Sequence, residues 1–71
     1  MTKIGSRIAK LRENQGLTRY RLAIKSGISF SYMTALEEDK HYPSLKTIDK
    51  LAQGLGITVS QLFEEEANLK N

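Results

Sequence analysis

The chain has 71 residues, a formal net charge of +3 and no cysteine. This length allows one domain with a single small core. The lack of cysteine excludes a disulfide framework, a thiolate metal site and a cysteine nucleophile, and one histidine cannot form a metal cluster alone, so we expect no metal and no cofactor.

The charge is unevenly distributed along the sequence. Residues 1–36 contain seven basic side chains and one acidic side chain, whereas three consecutive glutamates lie near the C-terminus. The N-terminal half would therefore attract a polyanion such as nucleic acid. The alternative interpretation is that these lysines and arginines only solvate helix faces.

The hydropathy pattern gives no sign of membrane insertion or secretion. The N-terminus lacks a continuous apolar stretch, and no window approaches the about 20 apolar residues that a membrane span needs. Together with the lack of cysteine, this pattern predicts a cytoplasmic protein with no membrane partner.

The first predicted helix runs from Ile4 to about Gln15. Its apolar positions are spaced by four and three residues, which is the stripe of an amphipathic helix: Ile4, Ile8 and Leu11. Gly16 is expected to end this helix because glycine accepts the left-handed conformation that follows a helix C-terminus.

Two short helices are predicted next. Thr18 and Ser29 are good N-cap residues because their hydroxyl groups can accept a backbone N–H of the first turn. The second helix ends at Ser26 and Gly27, and the third extends from Ser29 to about Glu38. Two short helices joined by a tight glycine turn are typical of a helix-turn-helix unit.

The strongest apolar stripe belongs to a fourth helix, capped by Ser44: Leu45, Ile48, Leu51, Ala52 and Leu55. Gly56 ends it, and Thr58 caps a short fifth helix that is expected to place Leu62 and Phe63 inward. No stretch alternates with period two. The sequence therefore predicts an all-α fold, a compact five-helix bundle over residues 1–63 followed by an acidic, polar tail at 64–71.

Ten short motifs occur in this order: Arg7-Ile8, Leu11-Arg12, Gly16-Leu17-Thr18, Leu22-Ala23, Gly27-Ile28-Ser29, Tyr32-Met33, Leu36-Glu37, Pro43-Ser44-Leu45, Leu51-Ala52 and Leu62-Phe63. In this order and spacing they resemble the XRE-type, lambda-repressor-like (Cro/repressor) helix-turn-helix family. The resemblance covers residues 4–63.

The resemblance implies a sequence-specific regulator of transcription that binds double-stranded DNA. In this family the third helix enters the major groove, and a homodimer reads two half-sites of a pseudo-palindromic operator, most often as a repressor. The alternative is a protein-binding module of the same fold, such as an antitoxin or an inhibitor of another regulator, for which DNA contact is secondary. An enzyme is not expected, because the sequence offers no phosphate-cradling loop and no set of nucleophile, base and orienting group.

The resemblance also assigns residues to the DNA. Base contacts map to the start of the third helix: Phe30, Ser31, Thr34 and Ala35. Phosphate contacts map to the helix N-termini and the loop before helix four: Thr18, Arg19, Ser29, Tyr32, Lys40, Tyr42, Ser44 and Lys46. The alternatives are that Phe30 folds back over the core, that the hydroxyl residues are ordinary helix surface, and that Lys40 is only solvated. His41 has no partner of metal-ligand type and is treated as a loop residue near the DNA backbone.

Two positions depart from the family pattern. Arg19 stands where glutamine is usual and can contact the same phosphate or swing toward a base. Asp39 stands where glycine is usual, in a left-handed position that predicts some strain.

Two further assignments are structural. Arg12 and Glu37 correspond to an ion pair that ties helix one to helix three, the alternative being two exposed charges. Val59, Leu62 and Leu69 are the candidates for a symmetric dimer interface, unless Leu62 lies wholly inside the monomer core.

Overall fold

The computed structural model describes residues 3–64, which form five α-helices. They are α1 (Ile4–Asn14), α2 (Arg19–Ser26), α3 (Phe30–Glu37), α4 (Leu45–Leu55) and α5 (Val59–Phe63). The predicted all-α, five-helix architecture is confirmed. The tail prediction falls mainly on residues 65–71, which lie outside the described part of the chain.

Four of the helices begin at the hydroxyl N-caps that the sequence predicts: Thr18, Ser29, Ser44 and Thr58. Each side chain accepts the backbone N–H three residues later, which pairs one of the N–H groups that a helix start leaves without a partner. At α5 the Gln61 side chain also accepts the Thr58 N–H, so a capping box fixes this short helix. These local bonds explain why the helix starts could be predicted from sequence.

The core receives fully buried side chains from all five helices: Ile8, Leu22, Met33, Leu36, Leu51 and Leu62. Each such side chain stabilises the fold by about 1.5–3 kcal/mol relative to an exposed one. Helix α2 packs on α3 and α4, whereas α1 packs on α3 and α5. The tight turn between α2 and α3 is made by Gly27, whose φ of 71° is left-handed.

Two apolar residues that the sequence places inward are exposed. Phe63 is 44% exposed because Leu62 takes the inward position of the five-residue helix α5, and the next residue is rotated by about 100° around the axis. Leu45 is 85% exposed because it is the first residue of α4 and precedes the part of the helix that reaches the core. These two expectations are therefore wrong.

Helix α1 begins without a side-chain cap of its own, since its N-cap residue is Lys3. The missing acceptor comes from the loop after α3, where the Asp39 Oδ1 accepts the Gly5 N–H at 3.1 Å. A Cβ at Gly5 would collide with the carbonyl oxygens of Leu36 and Glu37, so only glycine lets α1 approach the end of α3 this closely. Asp39 does have the expected left-handed backbone, with φ 61°, and this bond offsets part of its cost.

We expect Asp39→Ala to lower the free energy of unfolding by about 2 kcal/mol, because it removes the cap of α1 and puts alanine in a left-handed position. Asp39→Asn should stay close to wild type, since asparagine keeps an acceptor oxygen and tolerates that conformation. Urea denaturation of the three proteins measures the difference. Equal midpoints for wild type and Asp39→Ala would show that the bond to Gly5 contributes nothing.

Candidate nucleic-acid interface

The first turns of α2, α3 and α4 lie next to one another. The ring centroids of Tyr20, the second residue of α2, and Phe30, the first residue of α3, are 6.3 Å apart. The hydroxyl groups of Tyr32 in α3 and Thr47 in α4 are 3.4 Å apart. Residues 18–21, 29–32 and 44–47 therefore form one surface, called here the N-terminal face.

The N-terminal face is electrostatically suited to an anion. None of the first turns of α2, α3 and α4 carries an acidic residue, although carboxylates are favoured at helix N-termini. The positive ends of three helix dipoles, with backbone N–H groups that the caps do not use, are therefore left without a protein anion. A phosphate group is a suitable ligand for such a position.

The predicted base-contacting residues differ in how far their side chains are exposed to solvent. Phe30 is 50% exposed and is not among the side chains that pack on the core, so it does not fold back over the core. Ser31 is exposed, and its Oγ lies 3.5 Å from the Ser29 Oγ. Ala35 is half-buried. Phe30 and Ser31 are therefore the larger exposed groups at the start of α3.

Thr34 was a predicted base contact, but its hydroxyl group does not face the solvent. Its Oγ1 is buried and has no hydrogen-bond partner. A hydrogen bond from this hydroxyl to a base edge would require the side chain to rotate about χ1. In the observed rotamer, Thr34 cannot read a base through its hydroxyl group.

The predicted phosphate-contacting residues divide into free and engaged side chains. Tyr42 is 72% exposed, and Lys46 in the first turn of α4 is also exposed. The Lys40 Nζ lies 3.2 Å from Glu38 Oε1, so this lysine is paired within the protein. Thr18, Ser29 and Ser44 act as N-caps, and the Tyr32 ring packs 6.3 Å from the His41 ring.

The predicted ion pair between α1 and α3 is present and has a third member. Glu37, whose side chain is 1% exposed, accepts from Arg12 Nε at 2.7 Å and from Arg12 Nη2 at 3.0 Å. Its Oε1 also accepts from Arg19 Nε at 2.8 Å. The hydrogen bond to Glu37 raises the pKa of Arg12 above its usual value, against the opposite effect of burial, so this guanidinium stays charged.

The Arg19 side chain is paired with carboxylates at the C-terminal end of α3. Its Nε is bound to Glu37, and its Nη1 lies 3.8 Å from Glu38 Oε2, while about a third of the side chain remains exposed. This arrangement restrains the guanidinium next to the first turn of α2. A movement of Arg19 toward a base would break its bond to the buried carboxylate.

Sequence reasoning missed three side chains. Tyr20 and Ile24, one turn apart on α2, are 63% and 51% exposed, and the Tyr20 ring contacts that of Phe30. The available signal was that neither residue shares the Leu22–Ala23 edge. Arg7 counts as a basic residue in the sequence, but its guanidinium donates to the backbone oxygens of Gln61 and Leu62 and so ties α1 to α5.

The dimer candidates lie on α5, which packs on α1 and α4. Val59 is 40% exposed, and Phe63, one turn further, is 44% exposed. Leu62 is fully buried in the protomer and has no surface to offer a partner. Leu69 lies outside the described residues.

Residues 3–64 contain no group of three or more histidine, cysteine or carboxylate side chains placed to hold a metal ion. Across the same residues, no helix has the length and apolar character to cross a membrane.

The fold and the three adjoining helix starts define a helix-turn-helix domain. A family model described as helix-turn-helix matches residues 8–62. The chain therefore belongs to the XRE-type helix-turn-helix family.

Three proteins illustrate the similarity. The immunity repressor of Bacillus phage phi105 is 40% identical over 67 residues, which are 94% of this chain and 46% of the repressor. The regulator PuuR of Escherichia coli is 36% identical over 61 residues, which are 86% of this chain and 33% of PuuR. The restriction-modification controller protein C.AhdI of Aeromonas hydrophila has a similar structure, with a TM-score of 0.83 and 39% identity over 86% of this chain and 92% of C.AhdI. The chain thus spans less than half of these two sequence relatives.

We expect Glu37→Ala to lower the free energy of unfolding by about 3 kcal/mol, because two guanidinium groups lose a buried partner. Glu38→Ala is the matched control, since the neighbouring carboxylate is 42% exposed and its removal should change stability little. Thermal or urea denaturation provides the comparison. An equal loss of stability in both variants would show that the buried Glu37 carboxylate contributes no more to stability than the exposed Glu38 carboxylate.

Proposed function

We propose that this chain is a transcriptional regulator, most simply a repressor, that binds a pseudo-palindromic DNA operator as a homodimer. The observation that carries the proposal is the N-terminal face, where three helix starts without carboxylates adjoin half-exposed Phe30 on α3. The similar proteins are named as repressors and regulators, and the relative SinR has been solved in complex with DNA. Such a role would place the protein in the cytoplasm.

In the proposed complex, the first turns of α2 and α4 bind phosphates on either side of the groove that α3 enters. Backbone N–H groups and the cations Arg19 and Lys46 supply these contacts, which fix position without reading sequence. The start of α3 supplies the base contacts. The protein-binding alternative is not favoured, although SinR has also been solved with the protein SinI.

Binding should weaken steeply with salt because most of the contacts are to phosphates. Lys46→Ala should reduce the slope of log K against log salt by about one, equally for operator and random DNA. Lys25→Ala is the control, since Lys25 lies in the last turn of α2 rather than the first. Fluorescence anisotropy at four salt concentrations measures both slopes. A Lys46→Ala slope equal to that of wild type would remove this lysine from the interface.

The homodimer is proposed from the apolar pair on α5. Val59 and Phe63 are one helical turn apart and both are substantially exposed, so together they offer a small apolar patch to a second copy. A two-fold arrangement around this patch would present two α3 helices to successive major grooves, with half-site centres about 10 base pairs apart or a multiple of that turn.

Val59→Glu should abolish the dimer while the protomer stays folded. The substitution brings two negative charges together across the two-fold axis, yet it puts a carboxylate in the first turn of α5, where the helix dipole favours it. Ser60→Glu adds the same charge one residue later and is the matched control. Sedimentation should show two chains per operator for wild type and for Ser60→Glu. Saturable specific binding of a single wild-type chain to an asymmetric site would refute the dimer.

A further inference from the structure

An exposed apolar group lies at the junction of α2 and α3. Tyr20 and Phe30 are 63% and 50% exposed, and their rings are 6.3 Å apart with an interplanar angle of 57°. The separation of the two rings lies within the range of about 4.5–7 Å over which aromatic pairs attract each other. Two large rings from different helices therefore contact each other on the outside of the protein rather than in the core.

The two rings occupy the N-terminal face, where the other strongly exposed apolar side chain is Leu45 at the start of α4 and the remaining side chains are polar or basic. Phe30 is the first residue of α3, and Tyr20 lies in the first turn of α2 next to Arg19. Half-exposed rings beside a surface suited to anions fit a ligand that carries an apolar group next to its charges. Major-groove DNA has such a group, the C5-methyl of a pyrimidine.

We propose that Tyr20 and Phe30 together form a contact site for the C5-methyl group of a pyrimidine in the major groove. The inference rests on the proposed DNA-binding function and deepens it, because it adds a residue of α2 to base recognition. Thymine and 5-methylcytosine both carry this methyl group. The Phe30 ring cannot hydrogen-bond to a base edge and the Thr34 hydroxyl is buried, so the start of α3 offers one apolar contact, from Phe30, beside the weakly selective hydroxyl of Ser31.

Tyr20 acts in two ways in this site. Its ring packs against Phe30 and limits the positions that the Phe30 side chain can take, and it adds a second apolar wall from the neighbouring helix. Both effects depend on the ring and not on the hydroxyl group. Removal of either ring should therefore weaken the methyl contact by a similar factor.

The experiment compares operator duplexes that differ by one methyl group. An operator is first selected from random DNA with the wild-type chain. At each selected thymine, thymine is replaced by uracil, and in a parallel series cytosine is compared with 5-methylcytosine at the same position. Loss of the methyl group should weaken wild-type binding about 4-fold at one position per half-site, which corresponds to burial of one methyl-sized group. A response to both pairs assigns any C5-methylpyrimidine as the ligand, and a response to one pair assigns that base.

Four variants and one control test the role of Tyr20. Tyr20→Ala and Phe30→Ala should each reduce the methyl effect to less than 2-fold, and the double variant should reduce it no further. Tyr20→Phe should keep the wild-type effect because the ring remains. Ile24→Ala is the matched control, since Ile24 is an equally exposed apolar residue one turn later on the same helix. Melting temperatures verify that each variant is folded.

The outcomes separate this inference from the proposed function. A wild type that selects an operator but is insensitive to the methyl group at every position would overturn the methyl site alone. So would a Tyr20→Ala variant that keeps the full methyl effect, or effects of Tyr20→Ala and Phe30→Ala that multiply in the double variant. A wild type that selects no sequence would overturn the proposed function, and the methyl site with it.

Discussion

The buried carboxylate of Glu37 determines how the three N-terminal helices are arranged. It belongs to α3 and is bound by Arg12 of α1 and Arg19 of α2, so that one side chain joins three helices. Since a carboxylate without a partner is costly to bury, any packing that buried Glu37 without these guanidinium groups would be disfavoured. Arg12 also donates to the Leu17 carbonyl oxygen, which connects the loop between α1 and α2 to the same group.

This network also determines what the exposed side of α2 and α3 presents. Because Glu37 lies in the last turn of α3, its bond to Arg19 holds the far end of that helix against the start of α2. The contact between Tyr20 and Phe30 holds the other end. Helix α3 is thus attached to α2 at both ends, which keeps the first turn of α3 at a defined distance from the first turn of α2. A fixed separation of this kind would suit a helix that presents side chains to a ligand.

Features that depend on neighbouring residues could be predicted from the sequence pattern, whereas features that depend on distant residues either came from the family resemblance, as the Arg12–Glu37 pair did, or were missed. The four hydroxyl caps act over three residues, and the apolar stripes repeat every three or four residues, so both are visible in the sequence. The bond from Gly5 to Asp39 spans 34 residues, and no local pattern indicates it. Asp39 therefore looked like a departure from the family pattern, although it supplies the cap that α1 lacks.

The candidate site shows the same division. The positions of Phe30 and Lys46 followed from the family resemblance, whereas the contact between Tyr20 and Phe30 depends on where α3 crosses α2. The buried hydroxyl of Thr34 depends on the rotamer that the packed helices impose, which residue type alone does not determine.

The structure also changes how the charge of the N-terminal half should be interpreted. Seven basic residues among the first 36 indicated a cationic surface, but Arg7 binds the end of α5 and Arg12 binds Glu37. These two charges maintain the fold and are not available to a polyanion.

What remains for the N-terminal face is a smaller number of cations, together with three helix dipoles that no first-turn carboxylate opposes. Fixed backbone N–H groups lose little entropy when they bind a phosphate, whereas long lysine and arginine side chains must be ordered. The placement of carboxylates away from the helix starts would therefore favour anion binding in addition to the basic residues.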